Sequence, residues 1–270
     1  MSRYQNKVVV ITGSSQGIGR ELALRLGQQG ASIVLNARNA EKLAAVAQEL
    51  TQQGVAVLTI PGDVTQPEDC VALIRQTVDH YGRLDILVNN AGVSMRGRVE
   101  ELDHAVVNSM FQINTIAPFT LTKLAMPHLR QSKGQVAFVS SLAGLRGLPQ
   151  LSAYCSAKMA LTALAESLRI EHHGEGIHVG LVFVGQTEIE ADKTAVGPDG
   201  QPVPLGERKG ALMSSIPEVA TGIDRNLRRR KKVSYIGLPA KIYWRLMRYF
   251  PRLSEVLVRR QAAKMEDNLK

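Results

Sequence analysis

Tyr154 and Lys158 stand four residues apart in the stretch LSAYCSAKMALTALAESL, which begins at Leu151 and carries a helical pattern. Residues at that spacing share a helix face, so a phenol and an ammonium project together. A free phenol ionises near pH ~10, too high for easy proton exchange at neutrality. A fixed cation beside it favours the phenolate. Tyr154 is then expected to act as general acid when a ketone is reduced and as general base when an alcohol is oxidised. Alone, the pair equally fits a solvated helix face, so its meaning depends on what else reaches the same place.

Two other groups reach it. Ser141 ends a predicted strand, GQVAFVSS, at the edge where open α/β sheets bind ligands. Its hydroxyl is placed to stabilise a substrate oxygen as negative charge develops there. The loop TGSSQGIG lies between the first predicted strand and the first predicted helix. Its glycines allow a tight turn and let a pyrophosphate approach the backbone and the positive end of the helix. The loop therefore contributes Gly13, Ser15, Gly17, Ile18 and Gly19 to a dinucleotide site. After the second strand comes NARNAEK, with Arg38 and no carboxylate before Glu41. An acidic residue there reads a ribose 2′-hydroxyl, whereas an arginine accommodates a 2′-phosphate, so NADP(H) is favoured over NAD(H).

The elements that must position these groups follow from hydrophobic period. Short Val/Ile-rich runs (KVVVITG, ASIVLNA, VAVLTIPGD, LDILVNNAG, GQVAFVSS, IHVGLVFVG and KKVSYIG) alternate with helical patterns. Helices are expected after Gly17 and over 40–53, 67–81, 100–113, 118–131 (interrupted by Pro127) and 152–173. Strands apolar throughout, with helices between them, imply a parallel sheet covered on both faces. The expected fold is α/β: a single doubly wound parallel sheet of about seven strands, with helices on both faces and a C-terminal helical extension. Residues 1–238 form the catalytic domain and 239–270 the extension. The loop 197–206, GPDGQPVPLG, is expected to be a disordered insertion or a mobile flap over a site.

Composition bounds the class. The chain has 270 residues, 44% hydrophobic and 21% charged, ordinary for a globular protein. Two cysteines are too few for a disulfide framework, which fits a reducing, cytoplasmic setting. The N-terminus lacks signal-peptide character, and no apolar run approaches the ~18 residues of a spanning helix. No cluster has metal-ligand spacing, so no metal is expected. Cys155 beside Tyr154 is read as an inert buried thiol.

The order and placement of TGSSQGIG, Asp63, NNAG at 89–92, Asn114, Ser141 and the Tyr154/Lys158 pair resemble the short-chain dehydrogenase/reductase family over nearly all of residues 5–240. The resemblance implies an NADP-preferring oxidoreductase acting on CH–OH groups and working as a homodimer or homotetramer. It implies that Asp63 and Val64 hold the adenine and that Asn90, Ala91 and Gly92 line the cofactor wall. It further implies that Lys158 holds the nicotinamide ribose and that Asn114 anchors a water in a proton relay. The family's Pro-Gly after the sixth strand is Val184-Gly185 here, and Ile189 occupies the expected threonine position. Thr187 is expected to take over the contact with the nicotinamide amide. A 3-oxoacyl reductase and a non-catalytic nucleotide sensor on the same scaffold stand as alternatives.

The net charge of +9 is concentrated in the tail. From Ala220 onward there are 14 Lys/Arg against 4 Asp/Glu, whereas the preceding residues are one charge short of neutral. PAKIYWRLMRYFPRLSEVLVRR carries an apolar helical stripe, four of the chain's 12 aromatics and interleaved arginines, with Pro251 kinking it or starting a second helix. Three readings compete: a helix packed on the body or a sister subunit, an interfacial helix on an anionic membrane surface, or a nucleic-acid contact. The last is set aside because the main body shows neither a basic face nor a nucleic-acid motif. An amphipathic tail near the cleft suits a lipophilic carbonyl or alcohol, such as a steroid, retinoid or long-chain derivative. The membrane-surface reading of the tail resembles hydroxysteroid dehydrogenases of the family, which carry a similar apolar C-terminal extension.

Overall fold

The computed structural model describes residues 3–188, 193–205 and 213–267. Its first strand, β1 (Val8–Thr12), shows why the strands are apolar throughout. Successive side chains alternate between sheet faces. Val9 and Ile11 enter one core with Leu22, Leu26, Leu43 and Leu50. Val8 and Val10 enter the other with Leu73, Leu121, Leu129 and Phe138. Both faces are covered, so Val8 to Ile11 are apolar on both sides, and only Thr12, at the carboxyl end of the strand, is polar and hydrogen-bonded.

Helices and strands alternate as the periodicity requires: α1 (Gly17–Gly27), β2 (Ser32–Asn36), α2 (Ala40–Gln52), β3 (Val57–Thr59), α3 (Pro67–Tyr81) and β4 (Ile86–Asn89). There follow α4 (His104–Phe111), α5 (Ala117–Ser132), β5 (Gln135–Ser141), α6 (Ser152–Glu171) and β6 (His178–Val184). A hairpin of β7 (Thr194–Val196) and β8 (Pro202–Pro204) precedes α7 (Ile216–Arg228), β9 (Val233–Ile236), α8 (Leu238–Tyr249) and α9 (Pro251–Asp267). Seven strands form one parallel sheet in the order β3-β2-β1-β4-β5-β6-β9. The chain order reverses between β1 and β4, which opens a crevice beyond their carboxyl ends.

Four local expectations are revised. β3 is three residues long, although the Ile60 and Gly62 N–H groups beyond it still donate to the Leu35 and Ala37 carbonyls, and Pro61 between them faces away from β2. Pro127 does not interrupt α5, whose buried Leu121, Ala125, Met126 and Leu129 hold it helical across the missing hydrogen bond. The helix expected over 100–113 is a 3₁₀ turn at Val99–Glu101 followed by α4, and a π-turn at Gln112–Ile116 then leads into α5. Within 197–206 the chain forms the second strand of the β7–β8 antiparallel pair, and Val196 bridges to Met95 beside the crevice.

Candidate active site

The carboxyl edge of the sheet opens into a cleft of about 1730 Å³. Every residue expected at the cofactor or in the proton transfer lines it except Asn114, which lies behind its wall. The glycine loop forms one end. Gly13 and Gly17 have positive φ values of 64° and 56°, where a side chain is strained. Gly19 packs so tightly that a Cβ there would lie 2.7 Å from Asn90 Nδ2. Thr12 Oγ1 accepts from the backbone N–H of both Asn90 and Ala91 at 3.0 Å, and Asn90 Nδ2 donates to the Thr12 carbonyl at 2.8 Å. This clamp joins the loops after β1 and β4. Gln16 starts α1 without a side-chain cap, and Gly17, Ile18 and Gly19 of the first turn, whose N–H groups have no partner within the helix, line the cleft. Ser15 and Ile18 lie on this rim, and Ile18 also packs on the core beneath α1. An uncapped helix start, a cradle that side chains would fill and a cleft of this size fit a dinucleotide pyrophosphate.

Next along the edge, Arg38 is 71% exposed and its guanidinium lies 3.9 Å from the Asp63 carboxylate. Asp63 Oδ1 accepts from the Thr65 backbone N–H and hydroxyl at 2.9 and 2.8 Å, an Asx turn that shapes the loop after β3. Val64 is buried beside it, and its carbonyl accepts from the Cys70 thiol. Lys42, in the first turn of α2, reaches Gln16 Oε1 at 3.2 Å and puts a second cation on the same rim. Nothing in the sequence marks Lys42, because its place opposite the glycine loop depends on how α2 packs beside α1.

Ser141, Tyr154 and Lys158 meet at the far end of β5. Ser141 Oγ accepts from the Ala143 N–H at 3.2 Å, which leaves its own proton to donate, and it lies close enough to Tyr154 to favour the phenolate there. Burial pushes the Tyr154 phenol up to about 12, opposed by the Ser141 hydroxyl and, more weakly, by the charge of Arg96. Lys158 is buried at 5% exposure, and desolvation pulls its ammonium down to about 8. Its Nζ lies 5.9 Å from the Tyr154 ring centroid and donates to the Val139 carbonyl at 3.1 Å. The expectation that the lysine lowers the phenol's pKa is therefore revised: in the chain by itself burial outweighs it, and the ammonium is engaged with β5.

Asn114 sits in the π-turn and is fully buried. Its Nδ2 donates to the Val93 and Met110 carbonyls, both at 3.0 Å. Its Oδ1 is buried with no partner among the described residues. A Cβ on Gly92 would lie 2.7 Å from that oxygen and 3.2 Å from Lys158 Nζ, so the two groups flank the same point. Thr115 Oγ1 donates to the Ala157 carbonyl at 2.8 Å and locks the π-turn to α6. Widened helical turns of this kind recur at functional sites.

Thr187 is half-buried on the cleft wall, with Oγ1 donating to the Gly185 carbonyl at 3.3 Å. Ile189 lies outside the described residues. Ile242, Tyr243 and Leu246 of α8 and Val258 of α9 complete the wall, so the tail packs on the body. The cysteines are free and buried. Among the described residues no group of three His, Cys, Asp or Glu is placed to hold a metal, and no helix is long and apolar enough to cross a membrane.

Comparison with known proteins agrees with this geometry. The family model for short chain dehydrogenase matches residues 7–197. A protein from Arabidopsis thaliana named 11-beta-hydroxysteroid dehydrogenase-like 4A is 38% identical over 190 residues, which are 69% of this chain and 62% of the relative. The match thus spans less than two thirds of that protein's length. An L-fucose dehydrogenase from Mus musculus is 36% identical over 186 residues, covering 68% of this chain and 67% of the relative. A metagenomic short-chain oxidoreductase solved with NADP superposes with a TM-score of 0.71 at 28% identity, covering 87% of this chain and 96% of that one. An alcohol dehydrogenase from the archaeon Thermococcus sibiricus, solved with 5-hydroxy-NADP, gives 0.74 at 26%, covering 85% and 94%.

Proposed function

The chain belongs to the short-chain dehydrogenase family, and from that premise we propose that it exchanges a hydride between NADP(H) and a lipophilic carbonyl or secondary alcohol. The observation that carries the reading is the meeting of Ser141, Tyr154 and Lys158 at the end of β5, opposite the glycine cradle.

Gly13, Ser15, Gly17, Ile18 and Gly19 hold the pyrophosphate against α1. Asp63 and Val64 flank the adenine, and Asn90, Ala91, Gly92 and Thr187 bound the nicotinamide half. Arg38, helped by Lys42, offers positive charge to a ribose 2′-phosphate; two relatives were solved with NADP or a derivative of it. The bound nicotinamide supplies or accepts the hydride. Ser141 donates to the substrate oxygen and stabilises the charge that gathers on it. Tyr154, kept protonated by its burial, gives its proton to that oxygen in reduction. Lys158 supplies the fixed positive charge behind the phenol, and Asn114 Oδ1 accepts from the group that returns the proton past Lys158.

We assign residues 239–270 to an extension on the catalytic domain and the oligomer to a face of α5 and α6. Phe119 of α5 and Met159 of α6 are 55% and 44% exposed there, and Ile116, at the end of the π-turn before α5, is 45% exposed, more apolar surface than a solvated helix pair needs. The outer side of α8 and α9 exposes Tyr249, Phe250, Leu253 and Leu257 among Arg245, Arg248 and Arg252, which supports contact with an anionic membrane surface. A ketone and aldehyde panel followed by NADPH absorbance tests the reading. Turnover with NADPH is expected, and none on any carbonyl would remove it.

A further inference from the structure

Tyr243 of α8 lines the cleft, and its hydroxyl is buried with no hydrogen-bond partner among the described residues. The rotation of α8 is set by its neighbour. Trp244 stacks on Tyr235 of β9 at 4.9 Å, and Tyr235 stacks on Phe183 of β6 at 5.3 Å. A helix turns about 100° per residue. With Trp244 held against the sheet, Ile242, Tyr243 and Leu246 are left to the cleft.

A second tie holds this wall near the chemistry. Arg146 lies between Ser141 and Tyr154 in sequence, bonds the Ser254 hydroxyl and lies 3.7 Å from the Glu255 carboxylate, both on α9. Arg146 and Cys155 are close enough to Tyr243 to bias its ionisation, which burial pushes up, so the phenol stays a donor at neutral pH. Its neighbours on α8, Ile242 and Leu246, give this part of the cleft lining apolar side chains. A buried hydroxyl without a partner is costly, and in a ligand cleft the ligand is its natural partner.

We propose that Tyr243 is the specificity-determining residue of a distal polar subsite, where its hydroxyl hydrogen-bonds a second oxygen on an elongated, otherwise apolar substrate. The substrate's reacting carbonyl or carbinol lies at Ser141 and Tyr154, so the inference rests on the oxidoreductase reading above. It narrows the substrate class to lipophilic compounds that carry two oxygens, one at each end. A site built around such a bond discriminates strongly against an analogue that lacks the group.

The test uses matched ketones of two lengths: 4-phenylcyclohexanone with its para-hydroxyphenyl counterpart, and androstan-3-one with its 17-hydroxy derivative. Full-length wild type should favour the hydroxylated member of at least one pair by about tenfold in kcat/KM, chiefly through KM. Tyr243→Phe should bring that ratio to about one by lowering kcat/KM for the hydroxylated ketone more than for its parent, with the melting temperature unchanged or higher. A ratio near one in wild type for both pairs, or a preference that survives in Tyr243→Phe, overturns the subsite but leaves the oxidoreductase reading intact. If no ketone turns over, that reading fails. Calorimetric binding of the hydroxylated ketones to both proteins then decides the subsite alone, and equal affinities would overturn it.

Discussion

The Lys158 ammonium donates a 3.1 Å hydrogen bond to the carbonyl of Val139, two residues before Ser141 on β5. The strand that delivers Ser141 to the cleft thus also holds the cation behind Tyr154. Desolvation acts on the two ionisable groups in opposite directions. It drives Tyr154 up to about 12 and Lys158 down to about 8. At neutral pH the phenol keeps its proton and the lysine keeps its charge with little margin, a state suited to giving a proton to a carbonyl oxygen.

Lys158 should cost stability. The unfolded lysine ionises at 10.5 and the folded one at about 8, so between those values the unfolded chain binds more protons and stability rises with pH. Below about 8 the buried charge is present in full and costs about 3 kcal/mol. Lys158→Met should therefore be more resistant to urea at pH 7, by about 1–3 kcal/mol, with the gain gone by pH ~10. Urea unfolding of both proteins at the two pH values checks this. A variant less stable at neutral pH would show that the Val139 hydrogen bond outweighs desolvation.

The same shift sets a pH profile. For ketone reduction with NADPH, kcat/KM should be level at neutral pH and fall as pH rises through about 8, where Lys158 loses its charge. Tyr154, protonated to about 12, contributes no break below that. In Lys158→Arg the break should leave this range even if the rate is lower, because a guanidinium does not deprotonate there. Stopped-flow or steady-state rates across the alkaline range supply the comparison.

Arg38 should matter for cofactor choice and hardly for folding. Its 3.9 Å pairing with Asp63 is solvent-exposed and contributes little stability. Arg38→Ala should lower the preference for NADPH over NADH by about 10- to 100-fold while leaving the melting temperature unchanged. Adding Lys42→Ala should lower it further, because Lys42 occupies the same rim from α2. Ratios of kcat/KM for the two cofactors measure both effects, and an unchanged ratio in the double variant would remove the 2′-phosphate assignment.

Much of this is legible in the residues themselves. The Val8–Ile11 run is apolar on both sides because the sheet is covered on both faces, and β1 bears that out. Position relative to the predicted strands was enough to put Ser141, Arg38 and the glycine loop on one edge. What stayed hidden depends on three-dimensional packing. Nothing in GLN-ILE-ASN-THR-ILE at 112–116 signals a π-turn, since the extra residue is accommodated by tertiary bonds such as Thr115 to Ala157. The direction of the Lys158 side chain depends on where Val139 lies across from α6, which helical spacing does not report. The tail's stripe was visible, but which side of it faces the cleft is decided by Trp244 stacking on a tyrosine of β9.

The most direct measurement is NADPH oxidation by Tyr154→Phe beside wild type, with cofactor binding followed separately by fluorescence. The account predicts that ketone reduction falls by about a hundred- to ten-thousandfold while NADPH affinity stays within about twofold. Turnover near the wild-type rate in a variant that still binds NADPH would contradict it, because the proton would then come from another group.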